Sequence, residues 1–510
     1  MQNRSIPDPQ GSKIFRSPCN SGTCKHYGTG SRSISMKRQR FRFSGTLRCL
    51  VLLVAVMLAG SVRPLLAQEL DRGNDITRWF TDAHFGAFVT FGLYSIPAGV
   101  WKGRVAGRNM YAEWIQKEGN WPYGIPDEEY QALAQQFNPT GFDADAWVRE
   151  IKNAGMKYLV FTAKHHDGFA MWPSKVSHYD VEDATSFKRD ILAELAEACR
   201  KHGIKLGIYY SHWQDWEHEG GAKPPADVFH SIPRPVQVTD EQFGRYWNEK
   251  CIPQVKELMI GYQPAFWWFD TWGAPAVLTD QRVDELIRTI KTLDPTCLVN
   301  SRILFSGPDI AKKVDYLSMM DNTFPDQSNT QAWESFGTMA ESGGYHLKDY
   351  RWFSTKNLLG KLTNNVARNG NLTLNIGVKP DGTFPVASIR RLREIGAWLF
   401  VNGEGIYGSR PNPFPSPDWG GITIKDHGDG TSRVYCFVNT WPEDGRLNIR
   451  AFFQPEKAFV LETGEELEFA NSHGLTVILP HEPVDEKVTT IVLVVDNGRF
   501  NLSEPSSSLW

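Results

Sequence analysis

Short apolar runs alternate with segments of helical period between residues 80 and 400. One such segment carries Ile191, Leu192, Leu195 and Cys199 on one helical face, and Gly203 ends it before the next apolar run. Because the runs are apolar on successive residues, both faces of each strand must be buried, as in a parallel sheet covered by helices. Seven runs fit, with an eighth predicted near YRWFS: FGAFVTF, YLVFTA, KLGIYY, AFWWF, CLVNS, DYLSM and NLTLNI. The pattern predicts an α/β fold, a (β/α)₈ TIM-like barrel over residues 68–409.

An open, doubly wound sheet is the alternative arrangement of the same elements. That fold would be expected to carry a glycine-rich phosphate loop directly after its first strand, and the sequence has none there. We therefore favour the closed barrel.

The pattern changes after Tyr407. A proline-rich linker, PNPFPSPDWGG, is followed by short alternating runs such as GITIKD, RVYCFVNT and TTIVLVV, without a helical stripe. Such runs are typical of antiparallel strands. The sequence predicts a small C-terminal antiparallel β-sandwich over residues 410–510.

The N-terminus has the features of a leader that ends near Ala67. Met36 begins a basic stretch, and the apolar run from Cys49 to Gly60 follows it. A run of this length is short for a bilayer span and is typical of a signal peptide. We predict that residues 1–67 are a leader with its true start at Met36. Export to the periplasm or the medium, without a stable membrane anchor, would follow; an uncleaved anchor is the alternative.

Charge and cysteine usage exclude several classes of partner. The formal net charge of −3 offers no basic excess for nucleic acid. Four cysteines remain outside the leader, at Cys199, Cys251, Cys297 and Cys436, and no two of them form a C-x-x-C pair. The sequence therefore predicts no zinc or redox motif, no metal and no cofactor. Nothing in it specifies an oligomeric state.

Polar side chains stand where the predicted strands end. His165 and His166 follow YLVFTA, Tyr209 lies at the end of KLGIYY, Asp270 follows AFWWF, and Arg302 follows CLVNS. The carboxyl ends of parallel barrel strands meet at one mouth, where active sites are built. We therefore expect these groups to share one site.

Asp270 is the strongest candidate for catalysis. It ends an aromatic run, a costly setting for a carboxylate unless partners compensate, and strand alternation places Trp268 on the same face. The alternative role, a helix N-cap, fits Thr279 or Asp280 better. His165 and His166 should point apart on a strand, which argues against chelation of a metal. No G-x-S-x-G motif is present, so a pair of carboxylates is the expected machinery.

Several motifs, read in order, resemble the retaining α-L-fucosidases of glycoside hydrolase family 29. They are WFTDAHFGAFVTFGLYS, YAEWI, KYLVFTAKHHDGF, KLGIYYS, WFD, GNLTLNIG and WLFVNGEGIYGS. The resemblance implies that Asp270 is the nucleophile. It also implies a fucose site lined by Glu113, Trp114, His165, His166, Tyr209, Trp268 and Arg302. The implied reaction is a double displacement through a covalent glycosyl-enzyme that requires no cofactor.

The sequence departs from the family pattern at three places. Thr90 stands where members have a sugar-binding histidine, and Gly343 stands where an aromatic residue is frequent, which we expect to open one pocket wall. The acid/base segment reads DYLSMMDN. Asp321 is our choice for the general acid, and Glu334 is the alternative.

The sequence thus predicts a retaining exo-glycosidase that hydrolyses terminal α-L-fucosyl residues of a fucosylated glycan or polysaccharide. Two alternatives stay open. The first is a retaining glycosidase for a related sugar such as α-L-galactose, since loss of one hydroxyl-binding side chain can change selectivity strongly. The second is a catalytically silent sugar-binding protein.

Overall fold

A computed structural model describes residues 76–105, 111–117, 124–223, 237–271, 276–304, 309–412, 414–451, 453–472 and 474–497. Eight parallel strands form the first domain and follow one another around a barrel in chain order. They are β1 (Phe85–Thr90), β2 (Tyr158–Lys164), β3 (Lys205–Tyr210), β4 (Phe266–Phe269), β5 (Leu298–Val299), β6 (Leu317–Ser318), β7 (Trp333–Thr338) and β8 (Gly370–Gly377). β8 pairs with β1, and the bridge between Asn300 and Tyr316 joins β5 to β6, which closes the barrel.

Helices cover the outside of the barrel. The main ones are α1 (Ala144–Asn153), α2 (Ile191–His202), α3 (Ile252–Tyr262), α4 (Asp280–Leu293), α5 (Thr355–Val366) and α6 (Val386–Asn402). Thr279 caps α4 by accepting a hydrogen bond from the Arg282 amide. Gly203 ends α2 in the left-handed conformation, with φ of 71°, that glycine adopts without steric cost.

The opposite end of the barrel from the predicted site is filled by aromatic rings. The short helix Arg78–Ala83 places Phe80 against Tyr316 and Tyr158, with ring centroids 4.6 and 5.4 Å away. These rings are fully buried. Because this end is packed shut, the barrel formed by the described strands is accessible from their carboxyl ends.

The strand that the sequence pattern placed near YRWFS lies instead at Trp333–Thr338, as β7. Residues 351–354 are irregular and lead into α5. The true strand carries Glu334 and Ser335, both fully buried, so it lacks the continuous apolar run used to find the others. The connection from β6 to β7, residues 319–332, is irregular throughout instead of helical.

The C-terminal part is an antiparallel β-sandwich, as predicted. One sheet has the strand order β9-β10-β11-β16-β13 and the other β12-β15-β14. The strands are β9 (Arg410–Pro411), β10 (Gly420–Asp426), β11 (Thr431–Val438), β12 (Arg446–Ile449), β13 (Lys457–Val460), β14 (Phe469–Asn471), β15 (Leu475–Ile478) and β16 (Thr489–Asp496). The Trp398 indole of α6 donates to the Val488 carbonyl and ties the sandwich to the barrel. The division at residues 409 and 410 stays a prediction.

The predicted leader, residues 1–67, lies outside the described residues. Among the helices that the structure describes, none is long and apolar enough to cross a bilayer. Cys199, Cys251, Cys297 and Cys436 are all described, buried and unpaired. Burial raises the pKa of the Cys199 thiol to about 12, which keeps it in the unreactive thiol form.

Candidate active site

A cavity of about 470 Å³ opens at the carboxyl ends of the barrel strands. Its walls combine carboxylates, a guanidinium and aromatic rings contributed by many βα connections, as expected for this face of a barrel. The lining residues are Phe88, Thr90, Tyr111, Glu113, Trp114, His165, Tyr209, Trp268, Asp270, Arg302, Asp321 and Phe336. Of the predicted site residues, only His166 and Glu334 are absent from this lining.

Asp270 lies at the centre of the hydrogen bonds in this cavity. It directly follows β4, shares the cavity with Trp268 as strand alternation predicts, and is 7% exposed. One carboxylate oxygen accepts from the Tyr209 hydroxyl at 3.0 Å, and the other accepts from the Arg302 guanidinium at 3.2 Å. The Trp213 indole donates to the Asp270 carbonyl at 2.9 Å and fixes the backbone. These contacts stabilise an ionised carboxylate in an aromatic setting.

Asp321 is held to the same guanidinium. Arg302 donates from its second terminal nitrogen to the Asp321 carboxylate at 2.6 Å, and its guanidinium lies over the Trp268 ring at 4.6 Å. Burial raises the pKa of Asp321 to about 6, Arg302 opposes that rise, and the nearby Asp270 charge adds to it. Two carboxyl groups are therefore brought to one cavity by one arginine fork, and burial favours the protonated form of Asp321.

Glu113 is a third buried carboxyl group at the cavity. It lies in the short helical turn Ala112–Trp114 and accepts a hydrogen bond from the Gly344 amide at 2.6 Å. Burial raises its pKa to about 7, partly opposed by the backbone hydrogen bonds. At neutral pH the Glu113 carboxyl group is therefore able either to donate a hydrogen bond to a sugar hydroxyl or to accept one from it.

The two adjacent histidines do not point apart. Their ring centroids are 4.3 Å from each other. The strand ends at Lys164 with an irregular register, so the alternation assumed for a strand does not extend to these residues. His165 lines the cavity, while His166 lies behind it, with Nε2 3.6 Å from the Asp270 carboxylate and Nδ1 2.5 Å from the Ser211 hydroxyl.

Glu334 lies in the barrel interior rather than at the cavity. The Trp268 indole donates to one carboxylate oxygen at 2.6 Å, and the Thr373 hydroxyl donates to the other. The side chain is fully buried. With both oxygens engaged below the Trp268 ring, Glu334 has the surroundings of a structural group.

A buried ion-pair network supports the site from behind. Lys164, which precedes the histidines, contacts the Asp215 carboxylate at 2.7 Å, and Lys250 contacts it at 3.1 Å. Lys164 and Asp215 are fully buried. Asp215 belongs to the segment after β3 that also supplies Ser211 and Trp213, so the network joins that segment to the end of β2.

The family is decided by comparison with known proteins. The family described as alpha-L-fucosidase matches residues 65–404, which is well over half of the chain. The chain belongs to the α-L-fucosidase family. It is therefore a member of a family of glycoside hydrolases, and the predicted barrel and family are confirmed.

Curated relatives and solved structures cover most of this family member. Tissue alpha-L-fucosidase of Rattus norvegicus is 28% identical over 466 residues, covering 85% of this chain and 93% of the rat protein. Plasma alpha-L-fucosidase of Homo sapiens is 28% identical over 443 residues, covering 81% and 87%. An alpha-L-fucosidase crystal structure from Bacteroides thetaiotaomicron has a TM-score of 0.72 at 30% identity, covering 84% of this chain and 96% of that one.

A further structure from Bacteroides thetaiotaomicron bears on the mechanism of the family. It is described as an alpha-L-fucosidase with a trapped covalent intermediate, in complex with 2-fluoro-fucosyl fluoride. Its TM-score is 0.72 at 29% identity, and it covers 83% of this chain and 97% of that one. A covalent intermediate is the hallmark of a retaining glycosidase.

The wall at Gly343 differs from the sequence expectation in this α-L-fucosidase family member. Gly343 does not open the cavity wall, because the Glu113 carboxylate fills that space: a Cβ at position 343 would stand 2.3 Å from Glu113 Oε1. Thr90 lines the cavity and donates a hydrogen bond to the Asn375 side chain at 2.6 Å. The cavity wall at these positions is therefore closed by hydrogen-bonded polar groups, the Glu113 carboxylate and the Thr90–Asn375 pair.

Sequence reasoning missed several residues that shape the cavity. Phe88 and Phe336 line it as apolar walls, and their rings pack edge to face at 4.9 Å. Phe88 lies two residues before Thr90 on β1, so alternation could have found it, whereas Phe336 was hidden by the missed strand. Within the described ranges, no group of three or more His, Cys, Asp or Glu residues could hold a metal ion.

Proposed function

We propose that this chain is a retaining exo-α-L-fucosidase in which Asp270 is the nucleophile and Asp321 is the general acid and base. The observation that carries the proposal is the pairing of these two carboxyl groups on Arg302 at one cavity. Retaining glycosidases need two neighbouring carboxyl groups, one ionised and one protonated. The cavity lies at the carboxyl ends of the barrel strands, and the other end of the barrel is packed with aromatic rings, which suits an enzyme that binds a terminal sugar.

The first step forms a bond between the Asp270 carboxylate and the anomeric carbon. The glycosidic carbon–oxygen bond breaks at the same time, and the Asp321 proton passes to the departing oxygen. In the second step, ionised Asp321 takes a proton from water, whose oxygen attacks the anomeric carbon and releases Asp270. The raised pKa of Asp321, about 6, suits both roles near neutral pH.

The remaining cavity residues position the sugar. Glu113, His165 and Trp114 line the cavity with side chains that can hydrogen-bond to sugar hydroxyls. Phe88 and Phe336 form an apolar wall that suits the methyl group of a 6-deoxy sugar better than a hydroxymethyl group. This favours fucose over galactose in the L series.

The test uses aryl α-glycosides with good leaving groups, including the α-L-fucoside and the α-L-galactoside, with the wild type and Asp270→Ala. We expect turnover of the fucoside by the wild type, and a loss of about 10³-fold or more in the variant because the covalent step is removed. The control is Glu257→Gln, which changes a carboxylate that accepts from Ser174 and does not line the cavity. This variant should keep fucoside turnover.

Turnover of the galactoside alone would support the related-sugar alternative. Binding of sugar without any turnover would support the silent sugar-binding protein. Fucoside turnover that is unchanged in Asp270→Ala would refute the assigned nucleophile.

We also propose that the chain is exported through the leader that ends at Ala67. The basic stretch after Met36 and the following apolar run support this. N-terminal sequencing of protein recovered from the periplasm or medium should begin at Gln68, and a mature protein that retains the apolar run would contradict the proposal.

A further inference from the structure

A buried histidine in the segment after β3 lies between two of the strand ends that carry the site. His212 is fully buried, and its Nε2 lies 2.9 Å from the Ile303 carbonyl oxygen and 3.4 Å from the Thr271 hydroxyl. Ile303 follows Arg302 in the chain, and Thr271 follows Asp270. One ring nitrogen therefore contacts the neighbour of the guanidinium residue and the neighbour of the proposed nucleophile.

The surroundings of His212 fix the position of its proton. A backbone carbonyl can only accept, so the nitrogen next to the Ile303 oxygen, Nε2, must carry a hydrogen. Burial lowers the pKa of His212 to about 3, so at neutral pH the ring is uncharged and holds a single N–H. Nδ1 is fully buried and has no hydrogen-bond partner among the residues that the structure describes. The ring therefore acts as a neutral donor towards the Ile303 carbonyl.

The hydrogen bond from His212 holds one end of the turn that presents Arg302. This turn is the short helical segment Ser301–Ile303 after β5. The amide of its first residue donates to the Tyr316 carbonyl at 2.9 Å, next to β6. The carbonyl of its last residue accepts from His212. Because both ends of the turn are held, the direction in which the Arg302 side chain leaves the backbone is set.

The direction of the Arg302 side chain matters because its guanidinium serves two carboxylates at once. Its two terminal nitrogens donate to Asp270 at 3.2 Å and to Asp321 at 2.6 Å. The guanidinium is planar and rigid, so both nitrogens move together. A shift of the turn into the space left by a smaller or non-donating side chain at position 212 would therefore lengthen at least one of the two contacts.

We propose that His212 is a positioning residue: its Nε2–H holds the turn and so keeps the Arg302 guanidinium between the two carboxyl groups. The inference rests on the proposed function for the roles of these carboxyl groups, whereas the hydrogen bonds do not depend on it. An electrostatic consequence follows. Arg302 opposes the rise that burial causes in the pKa of Asp321, so a displaced guanidinium should let that pKa rise above about 6.

The other ionisable groups around Asp321 cannot replace the guanidinium. These neighbours are Asp270, Glu113 and Tyr111. Each of them is either neutral or negative, and a negative neighbour raises the pKa of a carboxyl group further. A change in the titration of Asp321 therefore reports on the position of Arg302.

The experiment compares the wild-type full chain with three variants. His212→Leu removes the donor, whereas His212→Gln keeps an N–H near the position of Nε2. Cys251→Ala is the matched control, because the Cys251 thiol donates to the His212 carbonyl at 3.4 Å and does not contact the turn. The first measurement is the pH dependence of kcat/KM for an α-L-fucoside with a poor leaving group. The second is the NMR titration of the Asp321 carboxyl carbon, assigned with Asp321→Asn, which requires no turnover.

We expect His212→Leu to lower kcat/KM by roughly ten- to a hundredfold, the effect of a small misplacement of groups at a reacting centre. The pKa of Asp321 should rise by about one unit, part of the roughly one to three units that a nearby opposite charge supplies. The fall of kcat/KM on the basic side should move to higher pH with it. His212→Gln should restore both quantities towards the wild type. Cys251→Ala should lower the stability of the fold and leave the Asp321 titration unchanged.

Three results would overturn the inference. Asp321 could titrate in folded His212→Leu as it does in the wild type, or His212→Gln could behave like His212→Leu. The third result does not depend on any variant folding: NMR of the wild-type imidazole nitrogens could place the proton of His212 on Nδ1 instead of Nε2. Failure of the proposed function would look different, as a wild type that hydrolyses no fucoside while the Asp321 titration still shifts in His212→Leu.

Discussion

Replacing Asp321 by asparagine should separate the two chemical roles of the carboxyl pair. The asparagine oxygen can still accept from Arg302, which now donates to Asp321 at 2.6 Å, so the arginine fork is preserved while the proton donor is lost. General acid catalysis contributes about 10²- to 10⁴-fold, or about 3–5 kcal/mol of transition-state stabilisation. We expect a loss of that size for α-L-fucosides with poor leaving groups. For dinitrophenyl fucoside, whose leaving group needs little protonation, bond formation to Asp270 should slow far less.

The pH dependence gives a second readout of the same variant. Asp321 has a pKa raised to about 6, and as an acid it acts only when protonated. The protonated fraction is then about 90% at one pH unit below that value and about 10% at one unit above it. In the wild type, kcat/KM for a poor leaving group should therefore fall about tenfold per pH unit on the basic side. In Asp321→Asn this fall on the basic side, the basic limb of the pH profile, should be absent.

Glu334→Gln is the matched control, because Glu334 is also a buried carboxylate near Arg302 but lies below Trp268. Glu334→Gln should not alter the dependence on leaving group or the basic limb of the pH profile, even if it lowers the stability of the fold. The reasoning is refuted if Asp321→Asn hydrolyses poor substrates within a few-fold of the wild type, or if the basic limb disappears in Glu334→Gln instead.

Two further substitutions test contacts around the cavity. Gly343→Ala should lower kcat/KM for the fucoside about tenfold or more, mainly through KM, because its Cβ would stand 2.3 Å from Glu113 Oε1 and displace a charge-assisted hydrogen bond. Gly261→Ala is the control, since a Cβ there meets nothing within 4 Å, and it should leave kcat/KM unchanged. Equal kinetics in both variants would show that Gly343 does not constrain Glu113. Lys164→Met should lower the free energy of unfolding by about 3 kcal/mol, the low end for a broken buried pair because Lys250 still neutralises Asp215. Lys312→Met, at an exposed pair with Asp309, should cost less than about 1 kcal/mol; urea denaturation measures both, and similar midpoint shifts would contradict this account.

The sequence predicted most of the barrel because continuous apolar runs are a strong signal. It failed at β7, where two successive polar residues are fully buried. Glu334 accepts hydrogen bonds from Trp268 and Thr373, and Ser335 donates one to the Thr323 carbonyl, and no local pattern reveals these partners. A polar barrel interior depends on partners from other strands. Such partners are known only once the strands are in register.

The candidate site could be anticipated to a similar extent, and for related reasons. The positions of Asp270 and Arg302 at strand ends were enough to bring them together, since topology alone places them at one mouth. The orientation of His166 was not predictable, because the strand irregularity before it redirects the chain. Nor could the sequence show that Asn375 completes the wall at Thr90, since that contact depends on the register between β8 and β1.

The two proposed catalytic carboxyl groups are attached to very different parts of the scaffold. Asp270 follows a strand that is hydrogen-bonded to β3 along its length, whereas Asp321 stands beyond a two-residue strand, beside the bridge that closes the barrel and before a connection without a helix. Asn322 and Thr323 are hydrogen-bonded to β7, so insertions or deletions in residues 325–328, further along this connection, would disturb few barrel hydrogen bonds. The connection that follows the proton donor can therefore change in length during evolution while the nucleophile stays in place. Enzymes with this fold can in this way adapt to larger or smaller leaving groups without changes to the sugar pocket.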